Sequence, residues 1–263
     1  MTAPLIVARN LRKEYGEHIV AVDDVSFEVA SGGSLGIVGE SGSGKTTVAK
    51  MLVGLERPTG GRIEVAGTDS SVPAKGWRER ARRARALQIV FQDPYSSLDP
   101  RQSVGDALRE VLAVAGLGRD KAEARARELI DLVGMPERVL GSRPSALSGG
   151  QRQRVAIARA LATEPRCVIL DESVAALDVS IQAQILNLLA DIRERTGVAY
   201  ILVSHDLAVV RHVTDNVIVM RHGAIVERGE TRAVLDNPQH PYTQLLRESV
   251  PRPGWVPGAG ATT

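Results

Sequence analysis

Three short runs of β-branched and aliphatic residues open the chain: "LIVARNLRKEYG", "HIVAVDDVSFEVASGG" and "GRIEVAG". Gly, Asp and Ser separate them, the pattern of strands joined by turns. "SLGIVG" (34–39) predicts a compact buried strand and "KTTVAKMLVGL" (45–55) a helix. Val48, Leu52 and Leu55 fall on one face of that helix, and Gly54 stands near its end. "WRERARRARA" (77–86) reads as a solvated helix face, "LQIVFQ" (87–92) as a strand and "DPYSSLDPR" as a loop. From 104 to 162 helix formers dominate without strand signals, which predicts a helical insertion.

Beyond the insertion, strands and helices alternate again. "CVILD" and "AYILVSH" predict strands around the helix "IQAQILNLLADIRERTG". In this helix Ile181, Ile185, Leu188, Leu189 and Ile192 share a face, and Gly197 can end it. "NVIVMRHGAIVERG" predicts two strands turned at His222 and Gly223. The alternation implies an α/β fold with a mainly parallel sheet covered on both sides. "PRPGWVPGAGATT" predicts a loose tail.

Composition adds three exclusions. Aliphatic residues must form the core, since hydrophobic residues make up 43% and aromatic ones 3%. The net charge of +2 is too small an excess to argue for nucleic acid as a partner. A single cysteine, Cys167, allows neither an intrachain disulfide nor a cysteine-rich metal cluster, and its place in an apolar run predicts a buried strand thiol. No apolar stretch approaches the ~20 residues of a membrane span, and "MTAPLIVARN" lacks the pattern of a secretory signal. The expected setting is cytosolic, with any membrane work done through partner chains.

"GESGSGKT" (39–46) has the spacing G-x-x-x-x-G-K-[ST], with a strand before it and a helix after it. Its glycines let backbone N–H groups turn toward phosphates, and the helix adds its positive end. Lys45 would reach the β- and γ-phosphates, and Thr46 would ligate Mg²⁺. "CVILDE" ends a strand in two acids: Asp171 to order the metal through water, and Glu172 to orient or deprotonate the attacking water. "LSGGQRQRVAIARALA" begins at Leu147. The free N–H groups expected at Ser148, Gly149 and Gly150, at the start of a helix, predict a second anion site facing a nucleotide held by another copy.

The order GESGSGKT, Gln92, LSGGQ, VILDE, ALD and His205 resembles the ATP-binding subunit of an ABC transporter over almost the whole chain. "FQDPYSSLDPR" and "NPQHPYTQLL" (237–246) are similar to the oligopeptide, dipeptide and nickel importer ATPases. The resemblance implies a P-loop NTPase core with an N-terminal antiparallel β subdomain and an inserted α-helical subdomain. A single ATPase domain would span 1–250, with core at 1–92 and 163–235 and the helical part, carrying LSGGQ, at 93–162. The family motif and tail would follow at 236–263. The ligands implied are ATP and Mg²⁺. Catalysis falls to Lys45, Gln92, Glu172 and His205, and metal binding to Thr46, Gln92 and Asp171. Nucleotide contacts are implied for Tyr15, Gly39, Ser41, Gly42, Ser43, Gly44, Lys45, Thr46 and Thr47, and across a dimer for Ser148, Gly149, Gly150, Gln151 and Asp178. Tyr15 has the alternative of an ordinary strand residue, His205 that of a structural histidine, and Asp178 that of a helix N-cap.

The partners implied are two transmembrane permease subunits, a second ATPase subunit and, indirectly, a substrate-binding receptor, at the cytoplasmic face of the membrane. The end of the chain soon after "NPQHPYTQLL" leaves little room for a regulatory domain. On physical grounds that stretch predicts a short Pro-initiated helix burying Leu245 and Leu246. Two alternatives stand beside the importer ATPase: a soluble ABC ATPase outside transport, and a catalytically weak, ATP-clamping partner in a heterodimer. The second rests on Ser173 and Ala175, where the family usually has proline and serine. Neither change removes a charged or metal-binding group, so an active ATPase is expected.

Overall fold

The computed structural model describes residues 3–16, 19–93, 98–173 and 178–248. Strands β1 (Pro4–Tyr15) and β2 (Ile19–Ala30) pair antiparallel, as the first two apolar runs predict. The chain then enters β3 (Ser34–Val38), helix α1 (Lys45–Leu52) and the antiparallel pair β4 (Gly60–Val65) and β5 (Thr68–Asp69). Strand β4 lies against β1, giving a four-stranded antiparallel sheet in the order β2-β1-β4-β5. Helix α2 (Gly76–Ala86) buries no residue, in keeping with its arginine-rich, solvated sequence, and leads into β6 (Leu87–Val90).

Helices α3 (Val104–Val114), α4 (Arg119–Leu132) and α5 (Gly149–Leu161) fill the strand-free region. After them come β7 (Cys167–Asp171), α6 (Val179–Thr196), β8 (Ala199–Ser204), α7 (Leu207–Val213), β9 (Asn216–Arg221) and β10 (Ala224–Glu230). Two short helices, α8 (Thr231–Asp236) and α9 (Pro241–Glu248), follow. The second sheet runs β10-β9-β3-β8-β7-β6, with β10 alone antiparallel to its neighbour. His222 and Gly223 both take positive φ, 48° and 82°, the backbone of a tight hairpin turn between β9 and β10.

Alternation along the central strands divides the interior in two. Val168, Leu170, Tyr200 and Leu202 face a core shared with α3 to α9. Cys167, Ile169, Ala199, Ile201 and Val203 face a core shared with α1 and the antiparallel sheet. Every residue of β3, β7 and β8 is buried, as a parallel sheet covered on both faces requires. Cys167 is the buried strand thiol its setting predicts.

Two expectations about packing are corrected. Helix α1 stops at Leu52 because Gly54 takes φ 76° and turns the chain away, so Leu55 is left exposed. In α9 it is Tyr242 and Thr243 that are buried, while Leu245 is exposed and Leu246 only partly covered. The helix meets the body of the protein with its first turn, so its apolar face is set by Tyr242. Ala175, residues 94–97 of the predicted loop and the tail from 249 lie outside the described residues. Among the described residues no helix is long and apolar enough to cross a membrane.

Candidate active site

The parallel strands β3, β7 and β8 end side by side, with Val38 paired to Ser204 and Asp171 to Val203. The loop 39–44 therefore emerges beside the two acids and His205. Gly44 takes φ 99°, and a Cβ there would lie 2.3 Å from the Ala21 carbonyl, so only glycine lets the loop pass under the β1–β2 hairpin. Gly44 also begins α1 without any side-chain cap, and no acid stands in the first turn. The free N–H groups there suit an anion.

Lys45 is buried and folds back on its own loop. Its Nζ donates to the carbonyls of Gly39 (2.8 Å) and Glu40 (2.7 Å), with Ser43 Oγ at 3.4 Å. Burial lowers the lysine's pKa, opposed by the charges of Glu172, Asp171 and Glu40. Thr46 Oγ1 donates to Asp171 Oδ1 at 3.1 Å. Burial raises the Asp171 pKa, the Thr46 hydrogen bond opposes the rise, and the charge of Glu172 adds to it. This all-oxygen pair fits a hard divalent cation that keeps several waters and takes further ligands from phosphates. Among the described residues no group of three or more His, Cys, Asp or Glu side chains could hold a metal ion.

Glu172 takes φ 48°, a left-handed backbone that strains a residue with a Cβ. Its N–H donates to Val203 C=O at 2.9 Å, extending the β7–β8 ladder one residue past the strand. Its Oε1 lies 3.6 Å from His205 Nδ1, near enough for electrostatic pairing and too far for a hydrogen bond. The following Ser173 is buried, with an Oγ that has no hydrogen-bond partner among the described residues.

Four predicted residues stand apart from this cluster. Gln92 is exposed two residues past the Val90–Leu170 pair, on a level with Glu172. Tyr15 is 37% exposed at the end of β1, with the Lys13 ammonium 4.7 Å from its ring centre. Ser148 begins α5 in a reciprocal cap: its Oγ accepts from Gln151 N–H, and Gln151 Oε1 accepts from Ser148 N–H at 2.9 Å. The Ser148 and Gln151 N–H groups are thus engaged, which corrects the expectation that all three N–H groups of 148–150 are free and leaves Gly149 and Gly150. Asp178 holds the N-cap position of α6, yet its carboxylate makes no capping hydrogen bond.

Gly150 is explained by packing. A Cβ on it would sit 2.5 Å from Ile181 Cγ2, so the start of α5 lies directly on the first turn of α6.

Residues 22–175 match the model of the ABC transporter family, and 226–258 match the oligopeptide/dipeptide transporter C-terminal region. This chain belongs to the ABC transporter family. It is 49% identical over 243 residues to the oligopeptide transport ATP-binding protein OppD of Mycobacterium tuberculosis, covering 92% of this chain and 39% of that protein. It therefore spans well under half the length of that relative. It is 43% identical over 236 residues to OppF of Lactococcus lactis, covering 89% of this chain and 73% of that one. Among solved structures it is similar to cbiO1 of Clostridium perfringens, with TM-score 0.80 and 28% identity, covering 89% and 91% of the two chains. A dimeric ATP-binding cassette bound to ADP and Pi in a post-hydrolysis state gives TM-score 0.74 and 28% identity, covering 86% and 99%.

As an ABC cassette the chain carries one contact that its motifs do not announce. Glu40 N–H donates to the hydroxyl of Tyr242 at 3.0 Å, linking the phosphate loop to α9. The only signal in the sequence is an aromatic directly after the proline that opens a short helix.

Proposed function

We infer that this chain is the ATP-hydrolysing subunit of an ABC importer for di- and oligopeptides. One observation carries the reading: Lys45, the Thr46–Asp171 pair and the Glu172–His205 pair converge where three parallel strands end. The C-terminal match and the names of the relatives support peptides over nickel as cargo.

In this reading Lys45, positioned by the carbonyls of Gly39 and Glu40, reaches the β- and γ-phosphates of ATP. Ser41, Gly42, Ser43, Gly44 and Thr47 surround the phosphates, and Tyr15 stacks on adenine. Thr46 and Asp171, with Gln92, would hold Mg²⁺, which would neutralise charge on the phosphates. Glu172 orients the attacking water and takes its proton as the water oxygen bonds to the γ-phosphorus and ADP departs. His205 holds the γ-phosphate side of that arrangement. Ser148, Gly149, Gly150, Gln151 and Asp178 close over the nucleotide of a second ATPase subunit.

Two permease subunits and, through them, a receptor complete the assembly at the cytoplasmic face of the membrane. A groove of about 780 Å³ suits their loops: Leu55, Pro73, Arg80, Phe91, Val111 and Arg159 line it. Phe91 precedes Gln92, so a loop seated there bears on a residue assigned to Mg²⁺.

ATP turnover by the assembled transporter tests the reading, with Glu172→Gln as the control. The expected result is turnover at least 10²-fold above the mutant's. Equal rates would replace the ATPase by an ATP-binding clamp.

A further inference from the structure

The phosphate loop is gripped from outside by the C-terminal third of the chain. At one end the Gly223 N–H, in the β9–β10 turn, donates to Ser43 C=O at 3.1 Å. At the other end the hydroxyl of Tyr242 accepts from Glu40 N–H at 3.0 Å. Tyr242 is 3% exposed, and the Arg221 guanidinium lies 4.8 Å from its ring centre. A ring so enclosed has little freedom to withdraw its hydroxyl.

Its backbone is anchored as well. Glu227, on β10, accepts from the N–H groups of Gln239 (2.8 Å) and His240 (3.2 Å). His240 Nδ1 in turn accepts from Tyr242 N–H at 3.1 Å. A carboxylate on the edge strand thus fixes the turn that aims Tyr242 at the loop.

The peptide that Tyr242 holds is the one Lys45 uses. Gly39 C=O and Glu40 N–H belong to a single planar amide, so they cannot turn independently. The carbonyl side takes the Lys45 ammonium at 2.8 Å, and the N–H side takes Tyr242. The next carbonyl, of Glu40, takes the same ammonium at 2.7 Å. Without the hydroxyl, the Glu40 N–H loses its acceptor and the amide gains freedom to rotate. Rotation would carry away one of the two carbonyls that position Lys45.

The geometry points to Tyr242 as a positioning residue for the phosphate loop: the C-terminal segment sets the affinity for Mg-ATP by holding the Gly39–Glu40 peptide. This rests on the nucleotide-site reading above. Preorganisation of a loop lowers the ordering cost that a ligand must meet, so its loss shows in binding rather than in the chemical step.

Tyr242→Phe removes one oxygen and keeps the packed ring. Full-length chains carrying Glu172→Gln, with and without Tyr242→Phe, are titrated with Mg-ATP by calorimetry. The expected result is a dissociation constant raised about 3–10-fold by Tyr242→Phe, the range of one net hydrogen bond. In the assembled transporter with Glu172 intact, KM for ATP rises by the same factor and kcat holds. Glu227→Ala, which touches no loop residue, weakens binding in the same direction. A purely structural role would lower the melting temperature and leave the dissociation constant alone. If unmutated Tyr242 gives clear binding and Tyr242→Phe matches it within error, this inference falls alone. A chain that binds no Mg-ATP with Tyr242 in place overturns the nucleotide-site reading and the inference with it.

Discussion

Thr46 Oγ1 and Asp171 Oδ1 meet at 3.1 Å across 125 residues of sequence, joining the first turn of α1 to the end of β7. Lys45 is buried beside the bond, so the site holds an anion and a cation that would both be better solvated in water. Burial disfavours the charged form of each, raising the aspartate and lowering the lysine.

Asp171→Asn should therefore stabilise the nucleotide-free protein while abolishing Mg-dependent ATP binding. The folded-state pKa of Asp171 is raised, so its contribution to stability is present below the ordinary aspartate value and lost as pH rises through the folded value. The gain from Asn is thus full at neutral pH and disappears in acid. Melting temperatures of both proteins across pH 3–8 check this, and a gain that grows toward acid would contradict it.

His205→Ala should lower kcat about 10²-fold with little change in KM for ATP, since His205 lies 3.6 Å from the carboxylate oxygen assigned to the water. Steady-state turnover of the assembled transporter decides it. A KM effect with unchanged kcat would move His205 from the chemical step to ATP binding.

Ser173→Ala should raise stability by about 1 kcal/mol, because it deletes a buried hydroxyl that has no partner among the described residues. ATP turnover should not change. Denaturant unfolding measures the shift, and a loss of stability would show that the hydroxyl is hydrogen-bonded in solution.

Gly150→Ala should destabilise the chain by about 1–3 kcal/mol, since its Cβ would lie 2.5 Å from Ile181 Cγ2. Adding Ile181→Ala removes the clash, and the double mutant should recover most of the lost melting temperature relative to Ile181→Ala alone. Additive losses would locate the cost elsewhere.

Much of this architecture is legible in local pattern. The apolar runs around "SLGIVG", "CVILD" and "AYILVSH" mark strands buried on both faces, and the hairpin at His222–Gly223 follows from turn chemistry. The glycine-rich loop and the two acids are legible because each follows an apolar strand run at a recognisable spacing. What stays hidden depends on contacts between distant segments. Periodicity puts Leu55 on the α1 face, but Gly54 ends the helix first. Leu245 looks like the core residue of α9, yet the helix docks through Tyr242, whose partner Glu40 is 202 residues away. The engaged N–H of Ser148 is encoded locally, by a serine and a glutamine three residues apart, and could have been read from that spacing.

Strand β3 lies between β8 and β9, and Ser34 at its start is hydrogen-bonded to Asp215, 181 residues further on. On the ribosome, that separation becomes waiting time. At about 5–20 residues per second, roughly 10–40 s pass between the synthesis of Ser34 and that of Asp215. Val38, whose core is shared with helices made later, is unshielded for that interval, and the loop 39–44 has neither the two acids nor His205 beside it until those segments are made. The surroundings of the loop 39–44 are thus among the last parts of the fold to form, and a chaperone would find its client in the N-terminal half.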